Sequence, residues 1–160
     1  MFSLLKRQVN RADLINSKLF SDDTFYPAFQ KDLQKCQREL IIESPFITQR
    51  RLATLSPALQ KLKHNGVKVI INTRDPLECD EEYMREDATR AISSLQHMGV
   101  QVLFTGKHHR KLAIIDRNVL WEGSLNILSQ NDSCEIMRRI ESTQLAWQMT
   151  RFIAIDNLTN

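Results

Sequence analysis

The stretch His109-Arg110-Lys111-Leu112-Ala113-Ile114-Ile115-Asp116, with Gly123-Ser124-Leu125-Asn126 after six intervening residues, holds six informative positions at fixed offsets within 18 residues. The run Leu112–Ile115 is apolar and reads as a buried strand. Just before it, the two-residue step from His109 to Lys111 puts both side chains on one face of an extended chain. An imidazole can serve as nucleophile or proton donor, and a neighbouring ammonium can hold phosphate oxygens as a point charge. Ser124 and Asn126 would add hydrogen bonds to the same oxygens, and Gly123 lets backbone approach closely.

The pattern H-x-K-x4-D-x6-G-S-x-N resembles the signature of the phospholipase D superfamily, the HKD phosphodiesterases, and most closely that of its small single-motif bacterial nucleases. Six matched positions are far more specific than a lone glycine motif. The resemblance implies a phospholipase D-like α/β sandwich, with a central mixed β-sheet flanked by helices. It also implies metal-independent phosphodiester chemistry without a cofactor, in which His109 is the nucleophile and forms a phosphohistidine. Lys111, Ser124 and Asn126 would then bind phosphate oxygens, and Asp116 would keep neighbouring segments in register. Glu135, nine residues beyond Asn126, stands where family members carry an acid that orients the nucleophile's other ring nitrogen, with Asp132 as the alternate. His108 lacks a lysine two positions on and counts as a neighbour. One motif is half a site in this family, and neither His64 nor His97 begins a second. The other half is expected from a second copy, in a twofold homodimer with an isologous interface. The two histidines would then hold different protonation states, giving a bell-shaped pH profile that belongs to the pair.

A length of 160 residues suits one domain with a real core. Hydrophobic content of 42% and charged content of 26% are those of an ordinary globular protein, and a net charge of +3 only permits an anionic partner. Cys36, Cys79 and Cys134 are scattered without a C-x-x-C pair, which points to reduced thiols and a cytoplasmic location. The start of the chain lacks a long apolar segment, and no apolar run is long enough for a membrane span, so no membrane association is expected. The four histidines show no metal-ligand spacing.

Outward from the motif, apolar periodicity predicts alternating elements. Residues 1–22, with Lys6, Arg7 and Arg11, read as an irregular or helical N-terminal arm, and 23–160 as the phosphodiesterase domain. Phe25, Phe29, Leu33, Cys36 and Leu40 mark a helical face, with Asp22 or Asp23 as its N-cap. Strands are expected at Glu39–Ser44, Val67–Asn72, Val100–Phe104, Lys111–Asp116, Asn118–Glu122 and Cys134–Ile140. Further helices are expected through Leu52–Leu62, over 80–98 and through Leu145–Ile153, the first two ended by Gly66 and Gly99. Alternating strands and helices argue for an α/β sandwich.

Basic residues at Lys107–Lys111, Gln49–Arg51 and Arg138–Arg139 favour a nucleic-acid phosphodiester, DNA before RNA, with Lys107, Arg110 and Gly123 expected at the substrate. Aromatic content of 7% gives no case for a single-strand stacking platform. One rival is a phospholipase or phosphatidyl transferase of the same superfamily, for which Trp147 and Phe152 on the last helix are the only interfacial candidates. Another is a non-catalytic DNA-binding and dimerisation module of a helicase or restriction protein. His109, Lys111 and Asn126 together weigh against it, since binding alone requires no nucleophile.

Overall fold

The computed structural model describes residues 16–129 and 132–158. Their chain order is β1 (Ser17–Ser21), α1 (Asp22–Lys35), β2 (Glu39–Glu43), α2 (Gln49–His64), β3 (Lys68–Thr73), a short 3-10 turn (Pro76–Glu78), α3 (Glu82–His97), β4 (Gln101–Phe104), β5 (Leu112–Ile115), β6 (Val119–Gly123), β7 (Ile136–Glu141), α4 (Thr143–Ile153) and α5 (Ile155–Leu158).

All seven strands form one sheet in the order β1-β7-β6-β5-β2-β3-β4. The strands β2, β3 and β4 are mutually parallel, and every other pairing is antiparallel. The expected mixed α/β sheet is therefore present. Antiparallel pairing of β2 with β5 brings the carboxyl ends of β2, β3 and β6 to the same end of the sheet as the amino ends of β5 and β7.

Alternation along each strand divides the core in two. On one face Leu40, Ile42, Val69, Ile71, Ala113, Ile115 and Trp121 pack against Phe25, Phe29 and Leu33 of α1, Leu52, Leu55, Leu59 and Leu62 of α2, and Ala91, Ile92 and Leu95 of α3. On the other, Ile41, Ile70, Ile114, Leu120 and Ile140 meet Ala146 and Ile153 of α4 and Ile155 of α5. The glycines expected to end α2 and α3, Gly66 and Gly99, have φ of 76° and 80°, where a Cβ would be strained.

Two expectations are corrected. Residues 1–15 of the arm lie outside the described residues, but Ser17–Ser21 is a strand, paired antiparallel with β7 from Ser17 opposite Ile140 to Ser21 opposite Ile136. Its alternation is faint because it is an edge strand: Phe20 packs on Trp121 at 4.9 Å between ring centroids, while Leu19 points outward and is 61% exposed. The N-cap of α1 is Ser21, in a capping box with Thr24, and Asp22 and Asp23 fill the first turn, where carboxylates favour the helix dipole.

Candidate active site

The motif's His109, Lys111, Ser124 and Asn126 lie on two loops at one end of the sheet. Residues 105–111 lead into β5 and residues 124–129 lead out of β6, and the two are tied where the Gly123 N–H donates to the Lys111 carbonyl at 3.3 Å. His109 is exposed, and Lys111 is half-buried with its Nζ donating to the His109 carbonyl at 3.0 Å.

Gly123 is required by packing. A Cβ there would lie 2.1 Å from the Ile136 carbonyl oxygen and 2.9 Å from Met137 Cα, so only glycine lets β6 run this close to β7. Ser124 continues the contact, its N–H donating to the Ile136 carbonyl at 3.0 Å and its Oγ accepting from the Ile136 N–H at 3.1 Å. Asn126 is half-buried, and its Oδ1 is enclosed without a hydrogen-bond partner among the described residues. The segment after it is braced from three sides. Tyr26 Oη donates to the Ile127 carbonyl at 2.9 Å, the Thr48 N–H to the Leu128 carbonyl at 2.9 Å, and the Leu128 N–H to Ser44 Oγ at 3.2 Å.

Asp116 stands at the far end of β5, away from His109. It and Arg117 are the central residues of the β5–β6 hairpin, both left-handed with φ of 52° and 51°, and the Asn118 N–H donates to the Ile115 carbonyl across them at 3.0 Å. This is the backbone geometry of a two-residue hairpin turn with both central φ values positive. The Asp116 carboxylate accepts from the N–H groups of Gln37, Arg38 and Glu39 at 2.9, 2.8 and 2.9 Å. Burial would push its pKa up, but these backbone donors win and hold it below the usual aspartate value.

Under the His109 loop lies a charged group that the sequence did not single out. Glu43, at the end of β2, is fully buried and takes a two-pronged contact from Arg110: Nε donates to Oε2, and Nη2 to Oε1 at 2.9 Å. Asn72 Nδ2 donates to Oε1 at 2.8 Å, and Thr105 Oγ1 donates in turn to Asn72 Oδ1 at 3.0 Å. His108, 3% exposed, sits with Nε2 3.7 Å from Glu43, beyond hydrogen-bond reach. Burial alone would raise the Glu43 pKa, yet hydrogen bonds and the Arg110 charge bring it down to about 2. The available signal was a glutamate closing an apolar strand, with an arginine inside the H-x-K step.

The other sequence candidates are distributed as follows. Glu135 is half-buried and accepts from Ser133 Oγ at 2.8 Å, and Asp132 is exposed; among the described residues the His109 ring makes no hydrogen bond to either. Lys107 is exposed at φ 54°, its N–H donating to Glu78 Oε2 at 3.2 Å. The basic clusters are less available than the sequence suggests. Arg110 is engaged by Glu43, Arg139 by Asp32 at 2.7 Å, and Arg51 stacks on the Tyr26 ring at 3.9 Å. Arg50, Arg138 and Lys107 face solvent. Among the described residues no group of three histidine, cysteine or acidic side chains is placed to hold a metal ion, and no helix is long and apolar enough to cross a membrane.

The sequence matches the family described as "Cardiolipin synthase, PLD-like domain" over residues 29–155. The chain belongs to the phospholipase D superfamily. Solved structures of similar fold include Nuc from Salmonella typhimurium, a phospholipase D family member, at 14% identity and a TM-score of 0.68, covering 85% of this chain and 90% of that one. NucT from Helicobacter pylori gives 18% identity and a TM-score of 0.63, covering 85% and 91%. The polyphosphate kinase of Porphyromonas gingivalis gives 13% and 0.68, covering 94% of this chain and 28% of that one. No curated protein matches by sequence. This phospholipase D-like chain thus has a phosphodiesterase fold close in extent to the single-motif Nuc-type members, and identities this low speak for fold alone.

Proposed function

We propose that the protein is a metal-independent nuclease that hydrolyses DNA, or RNA, in an active site shared by two copies of the chain. The observation that carries this reading is His109 itself: it is exposed at the end of the sheet beside Lys111, with a ring that no neighbour among the described residues engages. A histidine kept for packing would be enclosed; this one is presented.

In the proposed reaction the neutral His109 imidazole attacks phosphorus in line. The P–O bond to the leaving group breaks, and His109 of the second copy donates a proton to the departing oxygen. Water then gives a proton to that second histidine and attacks phosphorus; the P–N bond breaks and the phosphomonoester leaves. Lys111 holds the non-bridging oxygens and Asn126 adds an amide contact. Ser124 fixes the loop, its Oγ accepting from the Ile136 N–H and donating to the Ile136 carbonyl at 3.5 Å, and would reach a phosphate oxygen only by turning its hydroxyl away from that carbonyl. Glu135, with Asp132 as alternate, would orient His109 once the dimer forms.

The dimer is supported by the surface beside the motif. A groove of about 450 Å³ runs past Lys111, Gly123 and Arg138, and Leu19, Ile136 and Phe152 on its walls are 61%, 61% and 77% exposed. Apolar side chains this open next to the site are what a second copy would cover.

The test is cleavage of labelled single- and double-stranded DNA and RNA in EDTA by wild type and His109→Ala, with phosphatidylglycerol vesicles as a parallel substrate. Cutting that resists EDTA and falls by about a thousand-fold or more in the variant is expected. Cutting that the variant retains, or turnover of lipid alone, would reject the nuclease reading. A sedimentation measurement showing a monomer with full activity would reject the shared site.

A further inference from the structure

Asn126 belongs to two places at once. Besides its position in the motif, it lines a cavity of about 510 Å³ at the carboxyl ends of β2 and β3, where open α/β sheets commonly receive ligands. Its lining includes Phe46 and Ile47 after β2, Met84 and Ala88 of α3, and Tyr83 and Arg74. Its size is that of sites for small molecules and cofactors.

Of the charged groups around the cavity, Arg90 is largely exposed and 3.8 Å from Glu86, while two others are engaged within the protein. Arg74 pairs with Glu78 at 3.1 Å and lies over the Phe46 ring at 5.5 Å, and Asp87 accepts from the Gln49 N–H at 3.0 Å. What remains is mostly apolar, with one open aromatic, since Tyr83 is 68% exposed. A phosphate is poorly matched to such a place; a neutral flat group suits it, stacked on an aromatic face. A flat ring can stack on the exposed Tyr83 side chain, and an acyl chain cannot.

From the junction at Asn126 we infer that the cavity is a nucleobase subsite, taking the base of a nucleotide next to the scissile phosphate. It would select nucleic acid over lipid by a pocket for the base, where phosphate contacts alone do not discriminate. The inference rests on the nuclease reading for the identity of its ligand.

The experiment uses labelled single-stranded oligonucleotides in which one abasic nucleotide is stepped across the cut, with both cleavage and binding by fluorescence anisotropy measured for wild type, Ala88→Trp and Tyr83→Ala. Ala88→Trp fills the cavity, and Tyr83→Ala removes an exposed ring, so the second variant stands if the first fails to fold. In wild type, one abasic position should lower kcat/KM and affinity by about 5- to 100-fold, the range of base–aromatic stacking. In the variants the ratio of intact to abasic substrate should fall towards one. An abasic scan without effect, or a ratio that both variants leave intact, overturns the subsite. Hydrolysis of a short-chain phosphatidylglycerol that Ala88→Trp abolishes would make the cavity an acyl site and also overturn it. If wild type cuts nothing, the nuclease reading fails by itself, and the anisotropy ratio still decides the subsite.

Discussion

Replacing Glu43 by glutamine removes one buried charge and keeps the shape of the side chain. The carboxyl is held at about 2 against an ordinary 4.5, so its ionised form is favoured in the folded protein. Each tenfold in proton affinity is about 1.36 kcal/mol, so the gap corresponds to roughly 3 kcal/mol of stability at neutral pH. Because the pKa is depressed, this contribution is complete above 4.5 and disappears as pH falls through 2; at pH 3 roughly 1 kcal/mol remains. Breaking a buried pair by removing one partner typically costs about 3 to 5 kcal/mol, in agreement. Urea unfolding followed by tryptophan fluorescence, at fixed protein concentration, should therefore show Glu43→Gln less stable by about 3 kcal/mol at pH 7 and by less than half of that at pH 3. The double variant Glu43→Leu/Arg110→Leu, which leaves no charge stranded, should recover part of the loss. A loss under about 1 kcal/mol at pH 7, or an equal loss at both pH values, would refute the assignment of Glu43 as the ionised anchor of the His109 loop.

Gly123→Ala should destabilise by about 3 kcal/mol or more, because a Cβ 2.1 Å from a main-chain oxygen forces β6 and β7 apart; thermal unfolding measures it. Asp116→Ala strands three N–H groups and should cost about 3 kcal/mol by urea unfolding, while Asp116→Asn, which tolerates the left-handed turn, should cost less. Burial, with help from the nearby Asp116 charge, pushes the Cys36 thiol up to about 12, so mass spectrometry after brief alkylation at pH 8 should find Cys134, which is exposed, modified long before Cys36.

Local signals in the sequence reached the elements whose reasons are local. The helical faces of α1 and α2 follow steps of three and four, and Gly66 and Gly99 mark turns that need a positive φ. What was hidden depends on partners distant in the chain. Ser17–Ser21 is a strand only because β7 offers an edge, and no alternation within SKLFS announces it. Glu43 and Arg110 are 67 residues apart, and Arg139 reaches Asp32 across 107; a basic residue in the sequence looks available until its carboxylate is found. The same separation concealed the 510 Å³ cavity, whose walls come from α3, the ends of β2 and β3, and the Asn126 loop.

The motif divides its labour in a way that its letters do not disclose. Asp116 sits at the opposite end of β5 from His109, capping the α1–β2 connection, and Gly123 and Ser124 fasten β6 to the start of β7. These three positions are explained by the fold alone, so a protein that had lost catalysis would still have reason to keep them. His109 is different: it is exposed and its ring engages no partner among the described residues, so nothing in their packing calls for it. Nor does packing explain the enclosed Asn126 Oδ1, which is left without a donor among the described residues. The discriminating pair for function is therefore His109 and Asn126. His109→Ala and Asn126→Asp should abolish or cripple cleavage while leaving the unfolding midpoint within a few degrees, whereas Asp116 and Gly123 variants should lose activity only as they lose structure. If His109→Ala proved as destabilising as Gly123→Ala, the histidine would be architectural too, and the catalytic reading of the motif would lose its main support.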